Sequence, residues 1–143
     1  MRPSLMKVPL VVVLRVVAAL LFAEHGAAKV LGLFAGFGGP GQVAPVLSEM
    51  WFAGQCELVG GLLLALGMFT RPVAFLLSGE MAIAYFQVHF PRGFWPIENG
   101  GELTVLYCFL FLTFAKLGDD GLGVDTLLRR RRSVPVKSNS STH

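Results

Sequence analysis

The 143-residue chain is 54% hydrophobic and 15% charged, with a formal net charge of +3 and a mean hydropathy of +0.64. Soluble domains average ~25% charged residues. This composition therefore excludes a small water-facing globule and points to lipid as the solvent. The length suits one domain.

The first apolar segment runs from about Val8 to Phe34. Arg2 and Lys7 precede it, as in a signal peptide, but Arg15 interrupts the run and no small-residue cleavage site follows. It is expected to be a retained helix. Gly36 to Gly41 is a flexible break. A second segment covers about Met50 to Phe69, and Thr70-Arg71-Pro72 is expected as a tight turn. The third segment runs from Val73 to Phe90. Pro91, Pro96 and Asn99-Gly100-Gly101 then break the chain before a fourth, from about Leu103 to Leu117. A helical span needs ~20 mostly apolar residues. The expected fold is all-α: an integral membrane four-helix bundle over residues 1–128, followed by a basic, disordered tail over 129–143.

Positive residues set the orientation. With four spans, Arg2, Lys7, Arg71, Lys116, Arg129 to Arg132 and Lys137 fall on one side, which is the cytoplasm. Trp51 and Trp95 fall at the opposite interface. Both termini are then cytoplasmic. The arginine run serves topology here, and no nucleic-acid partner is expected.

The informative residues are the ionisable ones inside the spans, which are costly in hydrocarbon and usually face the bundle interior. At 1.5 Å per residue, Arg15 and Glu80 both lie ~10 Å from the inner boundary. They form a candidate ion pair between the first and third helices. Glu57 lies ~9 Å below the outer boundary. His25 and Lys29, four residues apart, share a face and approach that boundary from below. Glu102, at the start of the fourth helix, lies on the same side. His25, Lys29, Glu57 and Glu102 are thus candidates for ligand binding or proton relay, while Glu24 lies on another face. Gly54 and Gly61 put Glu57 on a small-residue stripe that permits close packing. Buried charges can also serve only to lock helices in register.

Other chemistry finds little support. Cys56 and Cys108 have no metal-binding spacing, and no metal site is expected. His25 and His89 lie in the outer half, where paired histidines can ligate haem, but lone histidines are more often hydrogen-bonding residues. Haem is not expected.

The sequence His25-Gly26-Ala27-Ala28-Lys29, the run from Glu57 through Gly60-Gly61 and Leu64 to Gly67, and Thr70-Arg71-Pro72 occur in order. Glu80, Glu102, Gly121 and Asp125 follow. In this pattern the chain resembles the DoxX family of small bacterial membrane proteins over about Val8 to Asp125. The resemblance implies a four-helix membrane bundle and a link to redox chemistry. Relatives include a subunit of a thiosulfate:quinone oxidoreductase and proteins thought to work with soluble thiol or superoxide-handling enzymes. Its polar positions fall on Arg15, His25, Lys29, Glu57, Arg71 and Glu102, whereas Glu80 departs from the pattern.

The expected function is a redox-associated membrane subunit binding a quinone or similar lipophilic acceptor in the outer cluster. His25 or Lys29 would donate to a carbonyl oxygen and Glu57 would tune or relay the proton. The alternative is a non-enzymatic anchor for soluble redox enzymes. A transporter would require a homo-oligomer, because four spans are few for alternating access.

Overall fold

A computed structural model describes residues 7–118 and 121–132. Arg2, the Asp119-Asp120 pair and the polar tail from Ser133 lie outside the described residues. Helix α1 spans Lys7–Leu31, α2 Glu49–Leu66 and α3 Thr70–Ala84. A π-helical turn, Tyr85–His89, and a 3₁₀ turn, Phe90–Arg92, prolong α3. The short α4 (Pro96–Asn99) leads into α5 (Glu102–Leu117), and α6 covers Val124–Arg132. Among the described residues there is no strand. Leu10–Leu31 and Thr70–Arg92 are each long and apolar enough to cross a membrane.

Local chemistry sets the helix boundaries. Ser48 starts α2 by accepting a hydrogen bond from the Trp51 amide at 3.2 Å. Gly67, in the left-handed region at φ 67°, ends it, a conformation that glycine adopts without a Cβ penalty. Thr70-Arg71-Pro72 proves to be the first turn of α3 rather than a tight turn. Proline is tolerated there because the first helical amides lack intrahelical acceptors in any case. The preceding residue, Phe69, is left-handed and offers no side-chain cap. Asp125 of α6 supplies one, accepting from the Phe69 and Thr70 amides at 3.0 Å each. The arginine run expected in the tail forms the last turn of α6 instead. Acids in the first turn and cations in the last complement the helix dipole.

The helices pack as two hairpins, α1 along α2 and α3 along α5, while α2 and α3 meet more sparsely. One core joins all four: Ala18, Ala19 and Phe22 of α1, Leu64 of α2, Leu77 and Met81 of α3, and Tyr107, Phe111 and Phe114 of α5. Phe22 packs its ring against Tyr107 and Phe111 at centroid distances of 5.1 and 4.8 Å. The outward faces are apolar as well. Leu14, Leu21, Leu62, Phe75, Ile83 and Phe109 are all exposed.

The α1–α2 seam rests on glycine. A Cβ on Gly26 would lie 2.3 Å from the Leu58 nitrogen and 2.5 Å from the Gly54 oxygen. Both obstacles are backbone, so the two helices would have to separate. Overpacking of this kind typically costs about 1–3 kcal/mol. Gly26→Ala is therefore expected to lower the unfolding temperature in detergent clearly, and an unchanged melting curve would contradict the seam as drawn.

Candidate functional site

The close seam places the side chain of Lys29 against α2. A Cβ on Gly54 would lie 2.8 Å from the Lys29 Cβ, so the lysine runs over a surface that glycine leaves open. Its Nζ then donates to Glu57 Oε1 at 2.6 Å. Glu57 is 3% exposed. A charge-assisted bond of this length between largely desolvated partners is strong, and each partner is costly to leave alone. The Lys29 carbonyl also accepts from the Ala44 amide at 2.7 Å, which ties the long α1–α2 connection back onto the site.

The pair forms one wall of a pocket of about 380 Å³ at this end of the molecule. His25, His89, Thr104, Phe22 and Tyr107 complete much of the lining. The pocket thus brings together three of the four residues expected in the outer cluster. Glu102 is not among them. It is exposed, in the first turn of α5, where an acid favours the helix dipole.

Hydrogen bonds fix both histidines. Nδ1–H of His25 donates to the Leu21 carbonyl at 2.8 Å, because a carbonyl can only accept. In the neutral ring Nε2 is then an acceptor. Donation to a carbonyl ligand consequently falls to Lys29, whose ammonium carries three protons and spends one on Glu57. His89 Nδ1–H donates to the Asn99 carbonyl at 3.1 Å, and its Nε2 lies 3.2 Å from the Thr104 hydroxyl. Both His89 nitrogens therefore have protein partners.

The rim of the pocket is organised by Asn99, a residue that the sequence pattern does not single out. It is 3% exposed. Its side-chain amide donates to the Gly93 carbonyl at 2.8 Å and to the Tyr85 hydroxyl at 3.2 Å, and its oxygen accepts from the Gly101 amide at 2.8 Å. Tyr107 and Thr104 likewise escape sequence reasoning. Their one signal is a stripe with Leu103 at three- and four-residue spacing on α5.

Arg15 and Glu80 do not pair. The buried Arg15 guanidinium donates to the carbonyls of Leu64 and Ala65 at the end of α2, the latter at 3.2 Å, and to that of Leu122 at 3.2 Å. Leu64 and Ala65 lie in the last turn of α2, where a cation meets the negative end of the helix dipole. Both Glu80 carboxylate oxygens are buried and have no hydrogen-bond partner, as is Oε2 of Glu57. Among the described residues no group of three or more histidines, cysteines and acids could hold a metal ion.

Comparison with known proteins gives a consistent assignment. A family model described as DoxX matches residues 10–90. An uncharacterized protein of Haemophilus influenzae is 47% identical over 116 residues, covering 78% of this chain and 85% of the relative. A second uncharacterized protein of the same organism is 30% identical over 82 residues, covering 57% of this chain and 53% of the relative. No solved structure matches significantly.

The Lys29–Glu57 pair generates a stability prediction. Removing one partner of a buried pair strands the other charge, at a typical cost of about 3–5 kcal/mol. Lys29 keeps 22% of its side chain exposed, which argues for the lower end of that range. Lys29→Met should markedly destabilise the protein in detergent, and adding Glu57→Met should recover much of the loss. Equal stability of the single variant and the parent would exclude the pair as a structural element.

Proposed function

The chain belongs to the DoxX family, and from that membership and the geometry above we propose that it is a multi-pass protein of the bacterial inner membrane that seats a quinone-like acceptor. The four long helices would form the membrane-embedded bundle. Their exposed faces carry leucine, isoleucine and phenylalanine, a surface suited to lipid rather than to water. The two helices of spanning length and composition agree with this reading.

The orientation draws on the position of the cations. Arg71, Arg129 and Arg132 line one pocket of about 600 Å³, at the end of the bundle that also holds Arg15 and Asp125. A cationic end of this kind favours the cytoplasmic side, which would put both termini there. A fluorescent protein fused to the C-terminus should therefore glow, and alkaline phosphatase fused at the same point should be inactive. An active phosphatase would reverse the orientation.

The observation that carries the ligand assignment is the juxtaposition of Lys29 with aromatic rings in the outer pocket. Its volume falls within the ~300–1,000 Å³ typical of small-molecule sites. Phe22 and Tyr107 supply apolar, flat walls, and the Lys29 ammonium supplies donors for a ligand carbonyl. A quinone is a flat ring with carbonyl acceptors on opposite edges, so it uses both features. Its reduction to the quinol takes up two electrons and two protons. The protons have a route in Lys29 and Glu57, which touch, and the electrons come from a donor protein.

Titration with a short-chain ubiquinone in mild detergent tests the assignment. Lys29→Met, combined with Glu57→Met to preserve folding, should weaken binding by about tenfold or more, the loss expected for a charge-assisted bond of about 1.5–3 kcal/mol. His25→Phe, which removes an acceptor rather than a donor, should weaken it less. Unchanged binding in the Lys29 variant would remove the quinone reading.

A further inference from the structure

A second opening also borders the Lys29–Glu57 pair. It is a groove of about 510 Å³ between α2 and α3, which pack much less closely than α1 with α2 or α3 with α5. Its lining is largely apolar, with Phe52, Phe75, Leu76 and Ile83 among the residues that border it. Phe52, Cys56, Phe75, Leu76 and Gly79 are exposed, so the groove opens sideways onto the face that the bundle turns to lipid. A Cβ added to Gly79 would meet nothing within 4 Å, which marks free space at the mouth.

At the back of this groove stand Glu57 and Glu80. Glu57 Oε2 and both oxygens of Glu80 are buried without a hydrogen-bond partner. Three buried oxygens without a partner around one largely apolar chamber are unusual, since buried polar atoms in native proteins are nearly always satisfied. A cation is a poor candidate to satisfy them, because the Lys29 ammonium lines the same groove.

We infer that the α2–α3 groove is a lateral binding site for an uncharged lipophile bearing a hydroxyl group, such as a long-chain phenol, held by the carboxyl groups of Glu57 and Glu80. The apolar tail lies along Phe75 and Leu76 toward the lipid, and the hydroxyl reaches the carboxyl groups. The groove shares Lys29 and Glu57 with the outer pocket, whereas Glu80 lines the groove alone, so a change at Glu80 separates this site from the quinone reading.

The test compares 4-nonylphenol with 4-nonylanisole, its methyl ether, by calorimetric titration of the full chain in mild detergent. The two share an apolar body and differ in the donor. The phenol is expected to bind at least tenfold more tightly. Glu80→Leu, which places an apolar side chain in an apolar groove, should abolish that preference and leave ubiquinone binding unchanged. Gly79→Leu should weaken both probes by filling the mouth. Equal affinity for phenol and ether, no binding of the phenol, or an undiminished preference in Glu80→Leu would each overturn the inference.

Discussion

The ion pair between Lys29 and Glu57 is the constraint around which the rest of the molecule is arranged. The two charges meet at 2.6 Å across α1 and α2, in a seam that glycine at positions 26 and 54 keeps close. Desolvating both groups is expensive, and their mutual attraction offsets that cost only in good geometry. The seam therefore has to be rigid, and the tether from Ala44 to the Lys29 carbonyl adds to that rigidity. Once fixed, the pair borders two openings, the outer pocket with its histidines and aromatic rings and the groove between α2 and α3.

Lys29 and Glu57 border both openings, and Glu57 keeps a second oxygen that is buried without a partner, as are those of Glu80 in the groove. The opposite end of the molecule has a different task. There Arg15 gathers the last carbonyls of α2 with that of Leu122, and Asp125 caps α3. These contacts fasten α6 across the α2–α3 turn and hold the hairpins together where their direct packing is sparse.

Much of this is legible in the sequence, and the failures have a common origin. Counting helical rise puts Glu57 near the level of His25 and Lys29 and on a small-residue stripe, so a polar cluster follows from pattern, but not which of the two Glu57 meets. The same count places Arg15 level with Glu80, yet depth says nothing of azimuth. Arg15 finds carbonyls at a helix end instead, and backbone acceptors leave no trace in a residue pattern. Glu102 shows the same limit, since the correct level does not turn a side chain inward. Asn99 and Asp125 act on amides and carbonyls in connections, where composition suggests only a break or a turn. Arg129 to Arg132 read as a solvated tail because a run of like charges repels. Asp125 at one end of α6 and the helix dipole at the other make that run helical.

The most direct measurement is the ligand content of the protein taken from its own membrane. The chain would be extracted into native-lipid discs, and its organic extract quantified for quinones by mass spectrometry against discs lacking it. The account predicts about one quinone per chain above the lipid background, falling to background when Lys29 and Glu57 are both replaced by methionine. A quinone content equal to that of the surrounding lipid in the parent protein would contradict it.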